Sequence, residues 1–314
     1  MKIVITGALG HIGSHLIRRI PALFPGAEIV MVDNFLTQRY ASLFNLPEKV
    51  KYNFIEADIL TADLEAIFSG AEVVIHLAAI TNAAASFENK EQVELVNFSG
   101  TERVAKACLS ANSALVFPST TSVYGSQDEL VDEDCPLKDL KPQSPYADSK
   151  LRAELLLNKM GDSHGLRFLI CRLGTIFGAS IGMRFHTAIN KFCWQAVFKE
   201  PISVWRTALH QYRPYLDLDD ASRAISFVVK NRFYERSVYN IVTVNKTVDD
   251  IIRIISRYEP GVKVEFVDTR IMNQLSYKVS SGRFTDKGFK FDGDIESGIK
   301  ETIGLIKCSA AFKK

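Results

Sequence analysis

The sequence has little that is extreme. No apolar run approaches the roughly 20 residues a membrane-spanning helix needs, so no transmembrane segment is expected. Neither sign of charge dominates: 38 basic and 36 acidic residues leave a formal net charge of +2. That balance argues against a basic surface for nucleic acid and against a polybasic membrane anchor. Cysteine is sparse. Cys108, Cys135, Cys171, Cys193 and Cys308 are an odd number without close pairing, which reads as free thiols of a reducing compartment. The opening MKIVITGALG holds one lysine and then a strand-like run that breaks at glycine, unlike a signal peptide. Repeats, low-complexity tracts and long linkers are missing as well. What remains is an ordinary globular composition, 47 % apolar and 24 % charged over 314 residues, with room for a substantial core and an expected cytoplasmic location.

Strand-like and helix-like stretches alternate through the first half. Strands are expected at 2–6, 28–33, 51–58, 72–79, 114–119 and 167–173, with helices at 12–24, 91–111 and 145–162. The strand runs are nearly continuous in Ile, Val and Phe, as in strands buried on both faces of a parallel sheet. The expected fold class is therefore α/β: a doubly wound parallel sheet of Rossmann type with a smaller mixed α/β C-terminal domain. The first domain is expected over 1–175. The second is expected mainly over 176–314, with some chain crossing back to the sheet. After residue 174 the elements shorten: helices at 187–198, 219–231, 248–258 and 294–306, and strand runs at 202–205 and 214–218. A cleft is expected between the halves, and fraying from residue 307 onward.

Residues 6–13 read TGALGHIG, with Gly7, Gly10 and Gly13 between an expected strand and an expected helix. In a dinucleotide fold such glycines permit a tight turn, a close backbone approach to a pyrophosphate, and close helix–strand packing. The phosphates then meet free N–H groups at a helix N-terminus. The bland alternative is a structural turn. Position decides against it: the next strand ends at Asp33, twenty residues past Gly13, where a carboxylate accepts ribose hydroxyls and repels a 2′-phosphate. NAD is thus expected rather than NADP. Arg39 is expected to be a solvated loop residue.

Tyr146 and Lys150 lie four apart behind Pro145 and share one helix face. A phenol is a poor base at neutral pH. A neighbouring ammonium, plus a positive nicotinamide ring, favours the phenolate. Tyr146 can then take a proton from an alcohol while hydride leaves the same carbon, with Thr120 bonding the reacting oxygen. The bland alternative is a surface tyrosine beside a solvated lysine, and the glycine loop upstream weighs against it.

With these motifs the chain resembles the extended short-chain dehydrogenase/reductase family, in its nucleotide-sugar epimerase/dehydratase branch. The resemblance rests on TGALGHIG at 6–13, VDN at 32–34, AD at 57–58, HLAA at 76–79, VNFSGT at 96–101, PSTTSVYG at 118–125, SPYADSK at 144–150, RPYLDLDD at 213–220 and YNI at 239–241. It implies a catalytic triad of Thr120, Tyr146 and Lys150. It implies NAD contacts from Gly7, Gly10, His11, Ile12, Gly13, Asp33, Asn34, Leu77, Ala78, Ala79 and Ser119, beside Tyr146 and Lys150. Asp58 and Ile59 would contact adenine, and Asn97 would support the Lys150 network. Substrate contacts are implied at Thr81, Thr120, Thr175, Arg184, Asn190 and Arg213, the last gripping the diphosphate. The resemblance also implies a homodimer pairing helices 91–111 and 145–162.

Departures sort the branches. The 4,6-dehydratases carry Asp-Glu after the triad Ser/Thr, where this chain has Thr121 and Ser122. Related decarboxylases place a Glu near there. Carbanion-forming epimerase/reductases use a Cys and a His, for which Cys193 and His186 are the remaining candidates. Thr175 stands where 4-epimerases often have Asn, and the usual arginine near 274 is replaced. The expectation is an NAD-dependent nucleotide-sugar epimerase acting at C4 through a transient 4-keto sugar. The alternatives are a 4-dehydrogenase or 4-ketoreductase, then a 4,6-dehydratase, then a non-catalytic dinucleotide sensor. No metal is expected, because His11 and His15 share a helix face without a Cys or carboxylate to complete a ligand set. His76 is expected to pack at a strand end. Trp194, Trp205 and Phe185 are either packing residues or a stacking surface for a base, and 131–136 (VDEDCP) an acidic solvated loop.

Overall fold

The computed structural model describes residues 1–127, 130–267 and 276–310. Seven strands form one parallel sheet: β1 (Lys2–Thr6), β2 (Glu28–Asp33), β3 (Lys51–Glu56), β4 (Val73–His76), β5 (Ala114–Thr120), β6 (Phe168–Leu173) and β7 (Glu235–Ile241). Their order is β7–β6–β5–β4–β1–β2–β3. Apolar residues fill the strands because both faces are covered: every residue of β5 and β6 is buried. Alternate side chains serve opposite faces. Ile3 and Ile5 join a core with Ile17, Ile225 and Val228 of the helices His11–Leu23 and Leu218–Asn231. Val4 joins the opposite core with Val104 and Leu157 of the helices Gly100–Ser110 and Pro145–His164. The chain order reverses between β1 and β4, which opens a crevice beyond their C-terminal ends.

Three features lie outside the expected elements. No strand was expected at 235–241, where β7 pairs parallel with β6 at the sheet edge. Its polar start, Glu235–Ser237, carries a register shift, and Arg236 takes φ +57°, so the hydrophobic pattern of a buried strand is missing there. Second, the expected helix at 91–111 is broken in its winding. Lys90–Val93 is α-helical, Glu94–Ser99 is a π-turn, and Gly100–Ser110 is α-helical again. Third, the final helix Ile295–Ala310 runs past the residue where fraying was expected, and 311–314 lie outside the described residues. The replaced arginine near 274 lies outside them as well.

The helix that carries Tyr146 and Lys150 is fixed at both ends. The Ser144 hydroxyl accepts the Ala147 N–H at 3.2 Å, Pro145 opens the first turn, and Gly165 ends the helix at φ +74°. In the second half, Thr175–Phe177, Tyr212–Asp217 and Val244–Thr247 make a three-stranded mixed sheet. It packs with the helices Ala188–Val197, Val248–Tyr258 and Ile295–Ala310 around Phe192, Tyr215, Ile255 and Ile299. All five cysteines are free thiols. Among the described residues, no helix is long and apolar enough to cross a membrane.

Candidate active site

The glycine loop sits at the switch point. Gly7 takes φ +66°, and a Cβ there would stand 2.5 Å from the Ala78 backbone nitrogen. A Cβ on Gly13 would meet the carbonyls of Gly7 and Ala8 just as closely. The loop therefore lies directly on Leu77 and Ala78. The Asp33 carboxylate steadies it from β2, accepting Leu9 N–H at 3.0 Å and Phe35 N–H at 3.1 Å. Asn34 donates to Asp58 at 3.0 Å, and Asp58 also accepts Leu60 N–H. Ile59 is turned into the core against Gly100, so its side chain is committed to packing. Arg39 is not the solvated loop residue expected. It is half-buried, with its guanidinium beside Gly10 and within electrostatic reach of Asp33.

A segment from the second half straps this loop down, which sequence reasoning missed. A Cβ on Gly182 would collide with the Leu9 carbonyl oxygen. Gly182 N–H donates to Ser14 at 2.9 Å, Ser180 donates to the His11 carbonyl at 3.0 Å, and the His11 ring bonds the Gly178 carbonyl at 2.9 Å. Burial pushes His11 down to about 3, so its ring is neutral. His15 bonds Ser222 instead of sharing a ligand with His11. Among the described residues, no three His, Cys, Asp or Glu side chains cluster to hold a metal.

Beside the loop opens a cavity of about 370 Å³, lined from both halves. Of the expected residues, Ile12, Leu77, Ala79, Thr81, Ser119, Thr120, Tyr146, Lys150, Thr175, Arg184 and Arg213 line it. Tyr146 bonds Thr120, which ends β5 and also accepts Ser122 N–H at 3.1 Å. Lys150 donates to the Pro118 carbonyl at 3.0 Å and lies 4.5 Å from the Phe117 ring. Burial raises the Tyr146 phenol, opposed by the Arg184 guanidinium and the Thr120 bond. The opposing charge here is that of Arg184, while the Lys150 ammonium is turned to Pro118.

Three further expected residues bond the protein itself. Asn97 bonds Ile80 and Ser149, the neighbour of Lys150. It is fully buried and spans the Ile80 backbone, accepting Ile80 N–H at 2.8 Å and donating to Ile80 C=O at 2.9 Å, with Ser149 at 3.3 Å. It thereby ties the π-turn to the segment that follows β4. Asn190 is also fully buried and is not among the cavity-lining residues. It pins the strap, bonding Gly178 at 3.3 Å and the Arg184 carbonyl at 3.2 Å. Ser119 spends its hydroxyl on Glu154. Elsewhere, His76 is buried between Thr6 and Thr101, at 2.7 and 3.1 Å. Trp194 packs between Phe185 and Phe198, while Trp205 lines the cavity. In the acidic segment Asp132 and Asp134 are exposed, but Glu133 turns inward and accepts Asn240 N–H at 2.6 Å.

The cavity's charge is one-sided. Lys150, Arg184 and Arg213 line it, and no Asp or Glu does among the described residues. Arg184 donates to Thr81 and keeps its Nε without a partner. Arg213 reaches the Gln211 amide oxygen at 3.4 Å. Partly desolvated guanidinium groups without carboxylates prepare a site for an anion. Sequence reasoning missed Ser122, Gln143 and Ser144, polar cavity residues in motifs it had quoted or beside them.

A family model described as the NAD dependent epimerase/dehydratase family matches residues 3–241. A trifunctional UDP-glucose 4,6-dehydratase/UDP-4-keto-6-deoxy-D-glucose 3,5-epimerase/UDP-4-keto-L-rhamnose-reductase of Arabidopsis thaliana is 30% identical over 96% of this chain. This chain spans 46% of that protein's length. An uncharacterized UDP-glucose epimerase of Bacillus subtilis is 30% identical over 73% of this chain and 72% of its own. Among solved structures, the Bacillus cereus UDP-glucuronic acid 4-epimerase with UDP-glucuronic acid and NAD superposes with a TM-score of 0.90 at 24% identity, covering 98% of this chain and 100% of that one. The Thermus thermophilus UDP-glucose 4-epimerase with NAD gives 0.85 at 23% identity, covering 98% and 99%. At these identities the structures establish the shared fold.

Proposed function

The chain belongs to the NAD-dependent epimerase/dehydratase family, and from that premise we propose that it is an NAD-dependent nucleotide-sugar epimerase acting at C4. One observation carries the reading: Thr120, Tyr146 and Lys150 meet in a cavity that holds three cations and no carboxylate among the described residues. The cations suit a sugar diphosphate. A 4,6-dehydratase needs a carboxylic acid and a carboxylate at the sugar, and Thr121 and Ser122 stand where they would be.

The residues fit the cofactor. The glycine cradle, closed against Ala78, leaves backbone N–H groups of the first helical turn for a pyrophosphate. In this reading Asp33 and Asp58 would hold the adenosine, and Leu77, Ala79, Tyr146 and Lys150 would border the nicotinamide end. The chemistry NAD would supply when bound is reversible hydride acceptance from the sugar carbon, with a ring charge that would favour a phenolate nearby. Tyr146 takes the C4 hydroxyl proton, while Thr120 donates to the same oxygen and holds it in line. Arg213 and Arg184 keep the diphosphate bound as the keto sugar turns. Tyr146 then returns the proton to the oxygen of the opposite epimer. Tyr146→Phe is expected to lower turnover at least 100-fold, the usual scale of acid–base catalysis, about 10²–10⁴-fold. Retention of most turnover would refute the assignment.

Assembly as a homodimer fits the same reading. Leu95 and Leu155 are exposed on the two helices expected to pair. A single monomeric mass in sedimentation at micromolar concentration would count against it. The free thiols support a cytoplasmic location.

A further inference from the structure

Three consecutive residues of β5 meet three side chains of the helix Pro145–His164. Pro118 accepts the Lys150 ammonium, Ser119 donates to Glu154, and Thr120 bonds Tyr146. Only the outer two contacts belong to the expected triad. Glu154 is 2 % exposed and Lys150 3 %. They are four residues apart and share a face. Behind them Arg172 of β6 grips the Glu154 carboxylate, Nη2–Oε2 2.7 Å and Nε–Oε1 3.1 Å.

Lys150 needs a counter-charge. Neither Pro118 nor Phe117 carries a charge, and burial pulls the ammonium down to about 8. The Glu154 carboxylate opposes that fall. The other ionisable groups around the cluster offer no help. Tyr146 precedes Lys150 by one turn and is held as the phenol. His76 of β4 is kept neutral by burial and by Lys150 itself, and Arg172 is a second cation.

We propose that Glu154 is a positioning residue for Lys150: anchored by Ser119 and Arg172, its carboxylate keeps the buried ammonium charged and in register with Thr120 and Tyr146. The inference rests on the reading of Lys150 as part of the active site, but its test does not require turnover. The protein is labelled with ¹³C-lysine, the Lys150 Cε resonance is assigned with Lys150→Arg, and its titration is followed by NMR. Glu154→Gln is expected to lower the midpoint by about one pH unit or more, the scale of one neighbouring charge. Arg172→Gln, which leaves the carboxylate in place, is expected not to lower it. An unchanged midpoint in Glu154→Gln, or an equal fall in Arg172→Gln, overturns the proposal. If Glu154→Gln does not fold, the comparison is made in the Arg172→Gln background, where adding Glu154→Gln is expected to lower the midpoint on the same scale relative to Arg172→Gln alone, and no fall overturns the proposal. With substrate, the alkaline limb of kcat is expected to follow the titration while KM holds. A displaced titration in a protein inactive on every nucleotide sugar would refute the functional reading and leave this proposal standing.

Discussion

Replacing Arg213 by Met separates the fold's need for this residue from the ligand's. Arg213 lies beside Tyr215 and Tyr277 in the half-buried wall of the cavity, with a long contact to Gln211 at 3.4 Å. Met keeps the apolar stem and removes a charge that no carboxylate balances among the described residues. Stability without nucleotide is therefore expected to stay within about 1 kcal/mol of the native protein. Binding should respond differently. Truncating one partner of a desolvated charge pair costs about 2–5 kcal/mol. At about 1.4 kcal/mol per decade, that is roughly a 30-fold to several-thousand-fold loss of affinity. Calorimetry with UDP, GDP, CDP and dTDP on the NAD-loaded protein finds the nucleotide that binds and reads its affinity, and thermal unfolding reads the stability. At 100 times its Kd a nucleotide stabilises the native protein by about 2.7 kcal/mol, and the variant should lose most of that at the same concentration. Unchanged affinity for that nucleotide, or a fold weakened by several kcal/mol, would show that Arg213 is a packing residue and refute the reasoning.

Other perturbations test the scaffold. Asn97→Ala leaves both the N–H and the C=O of Ile80 without their side-chain partner, and each buried unsatisfied group costs about 1–3 kcal/mol. Thermal unfolding should show that loss, with a matching rise in the NAD dissociation constant because the segment after β4 moves. A stable variant with native cofactor affinity would contradict it. Burial and the Lys150 charge push His76 from 6.5 down to about 3, so the unfolded chain binds the proton more tightly across that interval. Stability is then lost as pH falls from 6.5 toward 3, and His76→Gln should flatten the melting-temperature profile there. Parallel profiles for the two proteins would sink the idea.

The parts of the site legible in the sequence were the local ones. A strand, a glycine turn and a helix are contiguous, and the spacing from Tyr146 to Lys150 alone places both on one face. The rest depends on contacts that cross the chain. Gly182 meets Ser14 across 168 residues, Arg184 reaches Thr81 across 103, and Arg172 reaches Glu154 across 18. Hydrophobic periodicity carries no information about such pairs. It also missed β7, an edge strand with a polar first half, and the π-turn at Asn97, where local winding gives way to a buried side chain's hydrogen bonds. Resemblance implies ligand contacts for Ser119 and Asn190, and no local pattern shows that their side chains bond Glu154, Gly178 and Arg184.

The most direct measurement is proton NMR of the NAD-loaded protein incubated with a panel of nucleotide sugars, read beside absorbance at 340 nm. Interconversion of one C4 epimer pair, with no lasting absorbance change, is the predicted result. A 4-keto-6-deoxy product, stoichiometric accumulation of NADH, or no reaction with any member of the panel would contradict it.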